Sequence, residues 1–401
     1  MIYLDHAAAT PVNKKALEAM EPYFSHDFFN PSSAYLPAKK VSADYESAKA
    51  TIAHAIGAKS SDLIITAGAT EANNLAFTSV SLDGSCQLFS SPTSQGSAGV
   101  PLQSCYPSIL YLVTEHDSVR KVAEQRGGKP IKVLKTGVID LDDLKQKITD
   151  ETELISVSLV NNELGTIQPL AEISAIIREI KIDRLKRGIK KQLLLHSDAS
   201  QALNLLDINV ARLGVDLLTL NSAKVYGPKG VGALYVSHDV NLKPLTYGGG
   251  QENGLRSGTE NVPGVIGFAK AVEIAKEHLN GNRKKYATWR QTLLKELTDY
   301  ELINKKHSVD NFVNLCYNNI DAERLIYLLE DKQIYVSTGA ACAASKGQKS
   351  HVLAAIGLSD SQIAGSLRLT LGETNDDAQI HEAAKIINEV VAKEKERLQN
   401  V

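Results

Sequence analysis

The sequence predicts an α/β protein: a mostly parallel central sheet covered by helices, with a smaller α+β unit at the C-terminal end. Two observations carry this expectation. Short apolar runs at 63–66, 109–114, 131–134, 154–160, 193–196, 217–220 and 232–236 alternate with polar turns and helix-like stretches. Between two of them Leu170, Ile173, Ile176, Ile177 and Ile180 repeat at helical spacing. From Val262 the pattern changes to long helical stretches over 265–278 and 283–297, strand-like runs at 312–317 and 334–337, and a closing helix over 377–398. The division expected is a large domain over 15–261 and a small one made of 1–14 and 262–401. In parallel sheets ligands sit beyond the carboxyl ends of the strands, so the chemistry is sought there.

The composition narrows the class. A chain of 401 residues with 43% hydrophobic and 22% charged residues has material for a large core. Its net charge of −2 and lack of a one-sign block point away from nucleic acid and acidic membrane surfaces. No apolar run approaches the roughly 18 residues of a spanning helix, and the start lacks a signal-peptide pattern. Cys86, Cys105, Cys316 and Cys342 show neither C-x-x-C nor zinc spacing, so a reduced, cytoplasmic protein without a metal site is expected. Residues 83–108, rich in Ser, Gly, Pro and Gln, read as a surface insertion. The basic stretch 181–191 reads either as a solvated helix end or as a docking patch.

The strand ends carry the candidate chemistry. Lys224 follows an apolar strand and precedes Val-Tyr-Gly-Pro-Lys-Gly. A semi-buried lysine there has the environment a Schiff-base amine needs, because desolvation favours the uncharged form. Asp198 ends the run Leu193-Leu-Leu-His-Ser-Asp. It is either a helix N-cap or the carboxylate that keeps the pyridinium nitrogen of pyridoxal phosphate protonated as an electron sink. Gly68-Ala69-Thr70 opens a helix, which suits either a bare cap or a phosphate held by amides and a hydroxyl. His116 follows another strand, as a structural ring or as one that stacks on a cofactor and moves protons. Asn161-Asn162-Glu163 points polar groups toward the same crevice. Cys342 sits among small residues in Gly-Ala-Ala-Cys-Ala-Ala-Ser, a loop suited to carrying a thiol in and out. Arg368 alternates with apolar neighbours, placed for a substrate carboxylate or for a plain salt bridge.

In this order the segments resemble the cysteine desulfurases of the NifS/IscS type, within the fold-type I pyridoxal-phosphate-dependent enzymes. The likeness runs from Tyr3-Leu-Asp-His-Ala-Ala-Ala-Thr-Pro11 to the final helix and includes Arg256-Ser-Gly-Thr259. It implies that Lys224 carries the cofactor and later moves the Cα proton. Asp198 is implied to pair with the pyridinium, Gln201 with the ring hydroxyl, and His116 to stack on the ring. Thr70, the Ala69 amide and Asn221 fall at the phosphate, with Thr259 reaching across from a second subunit of a homodimer. Asn162 and Arg368 are implied to hold the carboxylate of L-cysteine, and Cys342 to take its sulfur as a persulfide, releasing alanine. A protein acceptor in iron–sulfur cluster assembly or tRNA thiolation is the implied partner.

The chain departs from the family pattern before the lysine, where Asn221-Ser222-Ala223 stands in place of Ser-Gly/Ala-His. Ala9 replaces a usual threonine, and 29–35 lacks the usual Gly before Asn30 and the His near Tyr35. Loss of a phosphate donor predicts weaker cofactor retention. Ala223→His is expected to lower the dissociation constant for pyridoxal phosphate several-fold; an unchanged constant in a fluorescence titration would refute this. The competing readings are another activity on the same scaffold (a selenocysteine lyase or an aminotransferase-like enzyme) and a degenerate scaffold protein in a sulfur-transfer complex.

Overall fold

The computed structural model describes residues 1–79, 108–338 and 349–400. Its strands are β1 (Ile2–Tyr3), β2 (Leu63–Thr66), β3 (Ser108–Leu112), β4 (Lys129–Ile131), β5 (Thr152–Ser156), β6 (Leu194–Asp198), β7 (Leu217–Asn221) and β8 (Gly232–Val236). In the C-terminal part follow β9 (Glu301–Leu302), β10 (Phe312–Cys316), β11 (Ile334–Tyr335) and β12 (Ser366–Thr370). The central sheet has seven strands in the order β2-β8-β7-β6-β5-β3-β4. β4, β3, β5, β6 and β7 run parallel, and β8 alone lies antiparallel between β7 and β2.

Side chains of successive strand residues point to opposite faces, and here both faces are dry. On one, Ile64, Ile109, Tyr111, Leu154, Leu194, Leu217 and Leu234 meet Leu75 and Phe77 of the helix Ala69–Ser79. On the other, Leu63, Ile65, Leu110, Ile155, Leu195, Leu218 and Ala233 belong to the large core shared with the helices Leu36–Ala55, Leu170–Lys186 and Val262–Glu296. That double burial explains why the strands read as continuous apolar runs.

Several expected boundaries shift. The run at 131–134 forms a strand only over Lys129–Ile131 and that at 154–160 only over Thr152–Ser156, with isolated bridges beyond them from Val133 to Ile139 and from Val160 to Ile167. Residues 83–107 of the expected insertion lie outside the described residues, and Ser108 already opens β3. The two expected helices at 265–278 and 283–297 are one helix, Val262–Glu296, of 35 residues. Asn280-Gly281-Asn282 reads locally as a break, since glycine inside a helix costs about 1 kcal/mol. Burial of Leu279, Tyr286, Trp289 and Leu293 outweighs it, together with Asn282 Nδ2 donating to Glu373 Oε1 (2.7 Å) and Trp289 Nε1 to Asp377 Oδ1 (2.5 Å).

The stretch 181–191 is not simply a solvated helix end. Arg184 is buried and donates to the carbonyls of Thr149 and Thr152, while Arg187 pairs with Asp150 (2.6 Å) and Lys191 with Glu151 (2.5 Å). Cys316 is a buried free thiol, pushed up to about 11 by desolvation. Cys86 and Cys105 lie outside the described residues.

The N-terminal segment joins the C-terminal elements to the sheet. β1 pairs in parallel with β11, and Ala7 N donates to Thr370 Oγ1 (3.0 Å). His6 is buried against Gly372, where a Cβ would lie 2.1 Å from His6 Cδ2, so position 372 requires glycine. β12 pairs antiparallel with β10, which in turn pairs with β9. No helix among the described residues is long and apolar enough to cross a membrane.

Candidate active site

At the carboxyl ends of β5, β6 and β7 lies a cavity of about 310 Å³. Its wall includes Ala69, Thr70, His116, Asn162, Asp198, Gln201, Asn221, Lys224 and Arg368, which sequence reasoning named one at a time. Two do not join them. Thr259 is exposed and outside this cavity, and Cys342 lies outside the described residues. A larger open groove, about 710 Å³, runs along His54, Lys59, Arg178 and Asp216 at the other end of the strands; it holds none of the expected groups.

Lys224 stands in a single turn after β7, half-buried. Its Nζ donates to Ala7 O (2.7 Å) and Ala8 O (2.5 Å), so the N-terminal segment holds the amine at the cavity wall. Gln201 Nε2 donates to the same Ala7 carbonyl (2.9 Å). Asp198 ends β6 with little exposure; Oδ1 accepts from Ser200 N and Oδ2 from Asn73 Nδ2, each at 2.8 Å. It does cap a turn, and it also turns a buried carboxylate into the cavity. These bonding partners are neutral, so the site retains the capacity to take a cation.

His116 caps the helix Asp117–Gln125: Nδ1 accepts from Ser118 N (3.1 Å) and lies 2.9 Å from Ser118 Oγ. The acceptor role places the ring proton on Nε2. Desolvation lowers its pKa below the usual histidine value, against the opposing pull of Asp198, so the ring facing the cavity is neutral near pH 7. Arg368 on β12 reaches the cavity from the other side. Nη2 pairs with Asp5 Oδ1 (2.6 Å) and Nη1 donates to the Asn162 carbonyl (2.7 Å). The plain salt bridge and the cavity position are both real.

The turn that opens the helix Ala69–Ser79 is shaped by glycine. Gly68, at φ 144°, turns the chain from β2 into the helix Ala69–Ser79, and a Cβ on Gly232 would lie 2.7 Å from the Gly68 backbone. Glu71 accepts from Ala67 N (2.6 Å) and from Arg256 Nε (3.0 Å), tying this turn to the segment that carries Thr259. Asn221 Oδ1 is engaged by Ala223 N (3.1 Å). The buried Ser222 hydroxyl is turned toward Gly227, where a Cβ would lie 2.2 Å from its Oγ, and Ser222 does not line the cavity. The serine next to the lysine therefore replaces no lost phosphate donor.

Asn161 corrects an expectation: its amide donates to Thr114 O (2.9 Å) and its Oδ1 accepts from Glu163 N and Leu164 N, so it builds the turn and does not line the cavity. Glu163 lines the cavity as expected, whereas Ser158, Ser200 and His351 carried no separate signal in the sequence. Ser158 and Ser200 line the cavity with buried hydroxyls, and the Ser200 hydroxyl has no partner among the described residues. His351 opens the helix His351–Ala355 and its Nε2 lies 2.9 Å from Glu115 O. Burial pushes the Glu163 carboxyl up, and Ser350 Oγ donates to its Oε2 at 2.5 Å. Only the position of 350–351, just beyond the cysteine loop, hinted at them.

A ligand with a cationic ring nitrogen, an anionic tail and a carbonyl for an amine fits this wall. Asp198 would meet the first, Thr70 and the turn at Gly68 the second, Lys224 the third. Fold and site together define an enzyme of the cofactor-dependent aminotransferase class. The chain belongs to the aminotransferase class-V family, whose model matches residues 2–91 and 104–382. It is 35% identical over 404 residues to the cysteine desulfurase IscS of Methanosarcina thermophila, covering 98% of this chain and 92% of that one. Cysteine desulfurase IscS 1 of Archaeoglobus fulgidus is likewise 35% identical over 402 residues, 98% of this chain and 97% of its own. Among solved structures, a NifS-like protein superposes with a TM-score of 0.85 at 29% identity over 98% of this chain and 99% of its own. SspA in complex with cysteine gives 0.77 at 30% identity, covering 92% and 99%.

Proposed function

We propose that this chain is a pyridoxal-phosphate-dependent cysteine desulfurase that converts L-cysteine to L-alanine and takes the sulfur on Cys342. The convergence of Lys224, Asp198, Gln201, His116 and Arg368 on one cavity carries the reading, and the full-length relatives that bear that activity in their names support it. The cofactor, when bound, supplies an electron sink for charge developing at the substrate Cα. Asp198 would hold the ring nitrogen and Gln201 the ring hydroxyl, and the neutral His116 ring would pack on the cofactor. Thr70, the amide of Ala69 and Asn221 hold the phosphate. Arg368 and Asn162 hold the substrate carboxylate. Lys224 Nζ takes the Cα proton and returns one to carbon.

The thiolate of Cys342 attacks the substrate sulfur. The carbon–sulfur bond breaks with its electron pair left on carbon, a sulfur–sulfur bond forms, and protonation of carbon completes alanine. The persulfide then passes to a protein acceptor of iron–sulfur cluster assembly or tRNA thiolation. We assign the exposed Thr259 to the phosphate of a second subunit, making the active form a homodimer of a cytoplasmic enzyme. We also assign 15–261 to the cofactor-binding domain, and 1–14 with 262–401 to the small domain that bears the cysteine loop.

The test is alanine release from L-cysteine by purified protein with pyridoxal phosphate and a reductant, wild type beside Cys342→Ala. Wild type is expected to release alanine and the variant to fall by at least 100-fold, within the span by which single catalytic groups act. Alanine from the variant at the wild-type rate would remove Cys342 from the reaction. Alanine from neither, with the fold intact, would overturn the desulfurase reading.

A further inference from the structure

Beneath the cavity floor lies a second carboxylate that the proposed reaction does not use. Glu115 has no exposure, hydrogen bonds from Ser156 and from the amide and hydroxyl of Ser158 act on its carboxyl, and Asp198 is the nearby charge that opposes its ionisation. An ionised carboxylate in that position would place two like charges in one dry site.

A chain of hydrogen bonds runs from Glu115 across three strands. Ser156 Oγ on β5 lies 3.4 Å from Glu115 Oε1 and 2.9 Å from Nδ1 of His196 on β6. Nε2 of His196 lies 3.1 Å from Thr219 Oγ1 on β7. His196 is fully buried with Phe77 edge-on at 5.6 Å, and desolvation lowers its pKa to about 4, so the ring is neutral with one N–H.

The single hydroxyl proton of Ser156 cannot serve both neighbours. With Glu115 ionised, Ser156 donates to it and His196 must carry its proton on Nδ1. With Glu115 protonated on Oε1, the oxygen that faces Ser156, the acid donates to Ser156, Ser156 donates to Nδ1, and the His196 proton moves to Nε2, facing Thr219. The protonation of Glu115 is thus written into the tautomer of His196.

We propose that Glu115 is a positioning acid that keeps its proton beneath Asp198 through the Ser156–His196–Thr219 chain, so that the buried pair offers one negative charge to the cationic ring nitrogen bound there. The inference rests on the cofactor reading for its purpose but not for its chemistry. Desolvation first, and the Asp198 charge second, push the Glu115 carboxyl up to about 8, so the proton is held at neutral pH and lost above it. The titratable groups on the surrounding elements are Asp198 and His196 on β6, His116 and Asp117 after β3, His351 at its helix start, and Lys224 after β7.

The experiment is nitrogen NMR of the histidine rings in the full chain, without added cofactor, from pH 6 to 10, for wild type and Glu115→Gln. In wild type, His196 is expected to carry its proton on Nε2 at pH 7 and to switch toward Nδ1 near pH 8. In the glutamine variant the side-chain amide donates to Ser156 at every pH, so the Nε2 form persists and the step vanishes. A step that survives in the variant, or a wild-type ring unchanged across the range, would overturn the proposal. A paired urea titration gives a second readout. The midpoint difference should move in favour of the variant between the ordinary carboxylate pKa of 4.5 and about 8, because only there does the unfolded wild type lose a proton that the folded one keeps. A constant difference would also count against it. Failure to bind pyridoxal phosphate, measured separately by absorbance, would instead count against the cofactor reading and leave the proton chain standing.

Discussion

Lys224→Ala is expected to lower L-cysteine turnover by about 10⁴-fold, the upper range for one group that moves a proton at carbon. The amine is held at the cavity wall by Ala7 O and Ala8 O, and the lysine beyond it, Lys229, sits exposed and absent from that wall. Among the described residues of the wall, no other lysine is placed to replace it. The variant should also fail to develop the visible absorption that pyridoxal phosphate acquires when held covalently by an amine. Folding should survive, since alanine leaves the main-chain turn Ser222–Lys224 with its Asn221 cap. Steady-state alanine release with an absorption spectrum checks both points. Turnover within tenfold of wild type would remove Lys224 from the chemistry.

Arg368→Gln carries the second large effect and separates two roles of one side chain. The Arg368 side chain is 4% exposed and its partner Asp5 17%. Removing one member of a buried pair leaves the other charge uncompensated, at about 3 kcal/mol. On the proposed function, loss of the guanidinium also removes the cation for the substrate carboxylate. We expect KM for L-cysteine to rise about 100-fold, which corresponds to roughly 3 kcal/mol, and the urea midpoint to fall. Adding Asp5→Asn should restore the midpoint by removing the stranded charge, while KM stays high. If the double variant recovered KM as well, Arg368 would act only through the N-terminal segment.

The pair at Asp5 also shows why the first residues matter. Tyr3 OH donates to Asp5 O (2.8 Å) and Ala9 O (3.0 Å), closing a compact turn that presents the Ala7 and Ala8 carbonyls to Lys224. In the sequence those alanines have no chemistry to advertise, because it is their main chain that works. Glu115 and His196 were hidden differently. Both lie beside residues with a visible role, His116 and Asp198, and only the register of β5, β6 and β7 brings Ser156 between them.

Other readings were legible because they depend on local order. A charged or polar residue at the end of an apolar run is conspicuous, and Lys224, Asp198, His116 and Thr70 each follow one. The parallel sheet was legible for the same reason: strands buried on both faces are mostly apolar, and the polar exceptions Ser156, His196 and Thr219 hydrogen-bond one another. The break expected near Gly281 failed because the glycine penalty is small beside the burial that the neighbouring elements supply.

The sequence by itself determined the class of fold, the strand ends as the seat of chemistry, and the identity of the amine, carboxylate, imidazole and guanidinium found there. These follow from hydrophobic periodicity and the cost of placing polar groups next to it, which are properties of short stretches of chain. Only the tertiary structure decided which carbonyls hold Lys224, that Arg368 is already paired with Asp5, and that Glu115 is buried within reach of the Asp198 charge. Those facts depend on residues up to several hundred positions apart meeting in a site from which water is excluded, and burial and charge proximity exist only once the chain has folded.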